Sequence, residues 1–492
     1  MTRVLHWFRR DLRVRDNTAL LEAARIADDG VVGVFVVSPA EWRAHDEAAV
    51  KVDFWMRCLR DLERTLERLR IPMVVVHAKG AADVPVVLVE TARRTGCDAI
   101  SFNVEYEIDE ARRDEAVRAA FEAEDREVIA CHDRCILAPG SVRTNDGGLY
   151  TVFTPFQNRF VEVCAGTDTA PAPGPKKQRA IGVASTGVPE RVEGFESAVD
   201  PELWPAGEAA AEARLAGFLE SRARSYGHDR DYPAVDGTST LSPYLAAGVI
   251  SPRVCMHAAI EADGGKMRLG KAYKGKPTGF AKWVSELIWR EFYTHLLCFT
   301  PRLSMHGAFK EVDQAIPWRY DEGDFRAWCE GRTGFPIVDA AMRQLRATGW
   351  MHNRVRMIVA MFLTKDLLID WRWGERFFMQ RLVDGDLASN NGGWQWSAST
   401  GTDAAPYFRV YNPVTQAERY DPEGEFIRRW VPELLGVEGK AVFDPSRLPG
   451  LLRTGWDYPE PIVDHGAARE RVMRVFKAAM GAAGGGRSEP EG

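Results

Sequence analysis

The spacing of apolar residues changes once along this chain, and that change limits what the chain can fold into. Over roughly the first 130 residues, short runs rich in β-branched residues (VLHWF, VVGVFVV, PMVVVHA) alternate with stretches such as NTALLEAARIA, where apolar residues recur at helical spacing. This is the rhythm of a parallel sheet wrapped by helices. From about residue 206 to about 475 the helical spacing continues without strand-like runs, most clearly in SELIWREFYTHLL, PIVDAAMRQLRATG and NRVRMIVAMFLTKDLLIDW. The expected fold is an α/β N-terminal domain, a doubly wound parallel sheet over residues 1–130, followed by an all-helical domain over 206–475. Residues 131–205 lose periodicity and gather Pro, Gly, Ser and Thr, which reads as an interdomain linker. The end, 476–492, is polar and glycine-rich and reads as a disordered tail.

A length of 492 residues suits two domains, each burying its own core. No apolar run approaches the roughly 18 residues that a membrane span needs. The N-terminal MTRVLHWFRRDLRVRD has no secretory signal pattern, so a cytoplasmic location is expected. Eight scattered cysteines point to reduced thiols, and Cys131 and Cys135, the only close pair, lack further ligands at metal-site spacing, so no metal is expected. The net charge of −6 means that a nucleic-acid partner would have to meet a local basic patch. Fifteen tryptophans are heavy usage, and core packing must account for most of them.

Four segments carry candidate chemistry. In WVSELIWREFY, residues Trp283, Glu286, Trp289, Arg290 and Tyr293 fall three and four apart, placing a carboxylate, a guanidinium and aromatics on one helix face. The spacing equally suits a surface Glu286–Arg290 pair beside core aromatics. In GWMHNRVRM, Asn353, Arg356 and Met357 share a face while Arg354 points elsewhere, as in a helix that addresses a polar ligand on one side and phosphates on the other, or in a plain solvated basic helix. DGDLASNNGGWQW gathers Asp384, Asp386, Asn390, Trp394 and Trp396 around an expected Gly-Gly turn, which suits a planar polar heterocycle; the positions of Ala388, Ser389 and Gln395 exclude a calcium loop. In TSTLSPYLAAG, hydroxyls precede a proline-led helix, the equipment of a phosphate site and also of a routine helix cap. The first strand-to-helix turn carries Asp16-Asn17-Thr18, good N-cap chemistry, and no GxGxxG, so the usual dinucleotide fingerprint is missing.

At these four segments, and from WFRRDLRVRDNTAL to EGEFIRRWVPEL, the sequence resembles the photolyase/cryptochrome family, specifically class I photolyases of cyclobutane pyrimidine dimers. The resemblance implies an antenna-chromophore domain followed by a helical domain that binds FAD, with a pocket for a flipped-out dimer; photolyases are among the known base-flipping enzymes. It implies that Tyr226 and the run Thr238, Ser239, Thr240, Leu241, Ser242 hold the FAD phosphates, with Trp283, Arg290, Asn353, Arg356, Asp384 and Asp386 around the rest. Asn390 would sit at flavin N5, where plant cryptochromes resemble this position with aspartate, which favours repair over a blue-light photoreceptor without repair activity. Glu286, Trp289, Met357 and Trp396 would form the substrate pocket, and Trp394, Trp371 and Trp318 the electron chain that photoreduces the flavin. Photolyases for the six-four lesion typically show a His-His pair where this chain has His352-Asn353. Arg230, Arg354 and Arg409 are the implied DNA-phosphate contacts. His45, Asp109 and Glu110 resemble an antenna site for methenyltetrahydrofolate, although Asp109 stands where asparagine is expected and Met305 where lysine is; 8-hydroxy-deazaflavin or no antenna are the alternatives. DNA is the implied partner of a monomer with no obligate protein partner.

Overall fold

The computed structural model describes residues 2–453 and 457–484. The β-branched runs of the N-terminal segment become strands β1 (Arg3–Phe8), β2 (Gly30–Val37) and β3 (Met73–His77), joined by β4 (Ala99–Asn103) and β5 (Glu127–Cys131). All pair in parallel in the order β3-β2-β1-β4-β5. Every residue of β2 and of β4 is buried, as expected for a parallel sheet covered on both faces. The strand order reverses beside β1, where β1 and β4 adjoin, so their carboxyl ends open the kind of crevice in which α/β folds bind ligands. Asn17 caps the helix Thr18–Ile26 by accepting from Leu20 N, as the Asp16-Asn17-Thr18 run predicts.

By their contacts the residues form two compact units. The first is the chain through Gly227 with Thr238–Ser304 and Val383–Ala388; the second is His228–Gly237, Met305–Leu382 and the chain from Ser389 onward. The first unit holds the sheet and the helix Gly279–Phe299, whose N-cap Thr278 accepts from Ala281 N at 3.1 Å. The second is helical, and its core encloses Trp328, Trp371 and Trp394 almost completely.

Three sequence expectations change. The segment 131–205 contains the helix Phe153–Ala165, because Phe153, Phe156 and Phe160 fall three and four apart and are buried together. Gly392-Gly393 makes no turn: helix Leu387–Ala398 runs straight through it. Its packing explains this, since Trp394 lies against Gly374 of the helix Trp371–Met379, where any Cβ would collide with the indole. The expected tail begins too early, because helix His465–Gly484 continues past residue 475 with Phe476 and Ala479 buried; its remainder, 485–492, lies outside the described residues. Among the described residues no helix is long and apolar enough to cross a membrane.

Candidate functional site

In the first unit, two of the other sequence segments converge on helix Gly279–Phe299, which carries WVSELIWREFY. The Trp283 Nε1–H donates to Ser239 Oγ at 3.2 Å, tying the hydroxyl loop to that helix. Thr240 in the same loop has φ 49, a left-handed conformation that a β-branched residue rarely adopts and that the surrounding fold must enforce. Arg214 donates to the Thr240 hydroxyl, which in turn donates to the Ser239 carbonyl at 2.8 Å. Leu241 N donates to Ser239 Oγ at 3.4 Å, and Ser242 opens the short helix that follows with Pro243. Tyr226 is buried edge-on against Phe218, which also meets Trp283.

Arg290 donates to the Arg134 carbonyl at 2.6 Å, and Arg134 bridges the Glu107 carboxylate at 2.8 Å and Asp386 at 3.2 Å. Asp384 and Asp386 are both buried, so the segment brings two carboxylates into the interior of this unit. Glu286 and Trp289 lie partly buried on the same helix. Phe153 stacks face to face on Trp289, with ring centroids 3.7 Å apart and planes 6° from parallel, so one face of that indole is covered. Cys135 is buried beside Glu291 and His295, where the Glu291 carboxylate accepts from Ile136 N at 2.8 Å and Leu137 N at 3.3 Å. Burial pushes the Glu291 carboxyl up to about 7.

At the carboxyl ends of β1, β2 and β4, the first unit also has a small cavity of about 60 Å³ lined by Trp7, Arg10, Trp42, His45, Glu105 and Glu110, among others. The antenna candidates meet at its edge: His45 Nδ1 lies 3.3 Å from Glu110 and Nε2 lies 3.6 Å from Asp109. The hydrogen bond to Glu110 raises the imidazole to about 9, so it is a cation at neutral pH. Glu110, which burial alone would raise, is drawn down to about 2 by His45 and Arg10. Arg10 reaches Glu105 at 2.6 Å, Glu107 at 3.1 Å and Glu110 at 3.0 Å. Met305 is exposed.

In the second unit, the helix Asn353–Met361 is capped by His352, whose Nδ1 accepts from Arg354 N. Burial, then Arg354 and Arg356, lower the His352 pKa to about 4, with Arg230 adding to the effect; the three arginines therefore gather around a neutral imidazole. Arg354 pairs with Asp231, lies 4.3 Å over the Tyr420 ring and reaches Met357 Sδ at 3.7 Å. Arg356 Nε donates to Met351 O at 2.7 Å, and Arg409 is exposed. The helix ends in a π-helical turn, Phe362–Asp366, a local feature often found at functional sites. Asn390 Nδ2 donates to the Glu375 carbonyl at 2.9 Å, and Trp396 is partly buried on the same helix. Trp371 Nε1 donates to Asp313 at 3.0 Å, and Trp318 is partly buried against Phe476.

In the first unit Tyr226, the hydroxyl loop and Trp283 come together, and Arg290 and Asp386 meet through Arg134; in the second, Arg230, Arg354 and Arg356 gather at His352 and Arg354 reaches Met357, whereas Arg409 is exposed. Reasoning from sequence missed Phe153, Arg134 and Glu107 in the first unit and Glu375 in the second. Phe153, Arg134 and Glu375 act on selected residues of other elements, and Glu107 holds Arg134, so no local spacing marked them.

The donor set suits FAD. In the first unit, hydroxyls in a strained loop match a diphosphate and buried carboxylates match cofactor hydroxyls. The chain matches a family model described as DNA photolyase over residues 4–176, and one described as FAD binding domain of DNA photolyase over residues 283–478. It is 42% identical to the deoxyribodipyrimidine photo-lyase of Vibrio cholerae, covering 97% of this chain and 100% of that protein. It is 41% identical to the deoxyribodipyrimidine photo-lyase of Escherichia coli, covering 97% and 99%. Among solved structures it resembles a bacterial class III photolyase from Agrobacterium tumefaciens, with TM-score 0.84 and 35% identity over 98% of both chains. A Synechocystis cryptochrome matches with TM-score 0.83 and 25% identity over 96% of this chain and 99% of that one. With two family models matched and relatives this similar along its whole length, the chain belongs to the DNA photolyase family.

Proposed function

We propose that this protein repairs cyclobutane pyrimidine dimers in DNA under light, with bound FAD and the dimer turned out of the duplex. The observation that carries this reading is whole-length similarity to proteins named deoxyribodipyrimidine photo-lyase, at higher identity than to the Synechocystis cryptochrome. When bound, reduced and light-excited FAD supplies the electron that splits the cyclobutane ring and takes it back, so no net redox change results.

The chain's own residues bind, orient and exclude water. Thr238, Ser239, Thr240, Leu241 and Ser242 offer hydroxyls and N–H groups to the diphosphate, supported by the strained Thr240 backbone and the Ser239–Trp283 tie. Tyr226, Trp283, Arg290, Asn353, Arg356, Asp384 and Asp386 hold the rest of the cofactor. Because the Asn390 nitrogen is engaged by the Glu375 carbonyl, its Oδ1 is the atom left to accept from an N5–H. Glu286 binds the pyrimidine edge and stabilises charge that develops on the opened dimer. Trp289 and Trp396 stack on the lesion, beside Met357. Trp394, Trp371 and Trp318 carry electrons inward to restore the reduced cofactor, and Arg230, Arg354 and Arg409 contact DNA phosphates.

His45, Asp109 and Glu110 serve a methenyltetrahydrofolate antenna, a role supported by the fixed imidazolium beside two carboxylates. The eight free thiols support a cytoplasmic setting, where the protein acts as a monomer. The test is to load the chain with FAD, reduce it and add an oligonucleotide containing one thymine dimer. Intact thymines must appear under blue light and not in the dark; illuminated, fully reduced protein that repairs nothing contradicts the reading.

A further inference from the structure

We infer that Cys135, Glu291 and His295 form a binding site for a zinc ion, which would clasp the segment after β5 to the helix Gly279–Phe299. All three residues belong to the first unit, and the proposed repair reaction uses none of them.

The three residues are 3%, 0% and 2% exposed. Glu291 and His295 stand one turn apart on the helix, and Cys135 follows β5. The Cys135 Sγ, a Glu291 carboxylate oxygen and a ring nitrogen of His295 all lie within 4.8 Å of one another. Around tetrahedral zinc, with bonds of about 2.0–2.3 Å, neighbouring ligand atoms stand roughly 3.3–3.8 Å apart, so a closure of about 1 Å seats the ion.

Each donor has capacity that the fold leaves unused. Glu291 accepts from Ile136 N at 2.8 Å and Leu137 N at 3.3 Å, bonds that orient the carboxylate and leave each oxygen a second lone pair. Among the described residues no lysine or arginine pairs with it: Arg290 turns to the Arg134 carbonyl, and Arg253 is held by Asp16 and Asp133. Its one charged-group contact is His295 Nε2 at 3.9 Å. Buried carboxylates in proteins are paired or coordinate metals. His295 Nε2 donates to the Leu137 carbonyl at 3.2 Å, the usual anchor of a metal-binding imidazole, while Nδ1 is buried without a hydrogen-bond partner. Cys135 is a free thiol packed with Tyr106, Leu297 and Ala388.

Thiolate, imidazole and carboxylate are the donors that zinc prefers. Binding forms one bond from each donor to the ion, and the thiol proton, with any proton on Glu291, leaves to water. Thiolate and carboxylate then offset the two positive charges, so the filled site is neutral, as an apolar interior requires. Because all three donors are buried, the ion is taken up as the chain folds. Sequence spacing did not mark the site, since Cys135 and the pair Glu291–His295 come from distant segments.

The test uses the full-length, FAD-loaded chain, produced in medium containing zinc and passed over a chelating resin. Elemental analysis is expected to find one zinc per chain. Protein made with cobalt(II) instead is expected to show the red bands of a tetrahedral, thiolate-bound ion, beyond the absorption of oxidised flavin. Cys135→Ser and His295→Gln are each expected to lose most of the metal while FAD content holds. X-ray absorption at the zinc edge of the parent protein reads the donors without relying on a variant, and should show one sulfur among nitrogen and oxygen. FAD-loaded protein that carries no zinc overturns the site, as does zinc retained undiminished in both variants or an edge spectrum with no sulfur ligand.

Discussion

Asn390 donates its Nδ2–H to the backbone carbonyl of Glu375 at 2.9 Å, so the orientation of one amide is set by a residue on another helix. The Glu375 side chain is itself fully buried, accepting from Asn391 Nδ2 at 2.8 Å and facing His306 Nδ1 at 2.9 Å. Gln395 extends the network by donating to Asn391 Oδ1 at 2.7 Å. A buried carboxylate that loses a donor bears the full desolvation penalty of the freed oxygen.

Asn391→Ala is therefore expected to destabilise the protein by about 1–3 kcal/mol. Urea unfolding is the measurement: the midpoint falls while the slope holds. A midpoint within error of the parent shows that the Glu375 network adds nothing to stability.

Gly374 is expected to tolerate no side chain, because a Cβ would occupy the place of the Trp394 ring. Gly374→Ala displaces that indole at about 1–3 kcal/mol, the usual penalty for overpacking a dense core. Thermal unfolding reads the loss, and slower flavin photoreduction reads the displacement. Parental behaviour in both means that the two helices separate freely.

The His45–Glu110 pair makes stability depend on pH. The folded pKa of His45, about 9, lies above its ordinary 6.5, so its contribution is complete below 6.5 and is lost as pH rises through about 9. Glu110 has the opposite sign: its contribution is complete above 4.5 and is lost as pH falls through about 2. His45→Gln is expected to lower stability by about 1 kcal/mol near pH 6 and by little above the folded pKa of His45. An equal effect at both pH values would show that the imidazole acts through packing, and NMR titration of His45 reads the shift directly.

Glu286→Ala is expected to reduce repair by reduced enzyme about tenfold, the effect of losing one charge-assisted hydrogen bond. Dimer binding falls less than repair, because charge develops on the substrate only after electron transfer. Equal losses in binding and repair would reassign Glu286 to recognition alone.

Much of the fold is legible in the sequence, for identifiable reasons. VLHWF, VVGVFVV and PMVVVHA are continuous apolar runs because parallel strands are buried on both faces, and they become β1, β2 and β3. AISFN and EVIAC, which form β4 and β5, are short and mixed and announce less. Helix Phe153–Ala165 escaped because Pro155 and the neighbouring turn residues mask three phenylalanines at helical spacing. The Gly-Gly pair misled because glycine favours turns locally, whereas packing of Trp394 on Gly374 keeps the chain helical. The motif residues were visible because each set shares one helix or loop. The buried lattice of Arg9, Arg10 and Arg113 with Glu105 and Asp114 was not, since it joins the segment after β1 to the segment after β4 and the helix Ile108–Glu122.

The most direct test of repair without net redox change is a flash experiment on fully reduced, FAD-loaded protein bound to a thymine-dimer oligonucleotide. Each flash should convert a further fraction of dimer to intact thymines while the flavin spectrum returns to its starting form. Dimer that survives every flash, or flavin that is oxidised one for one with each dimer split, would contradict the account.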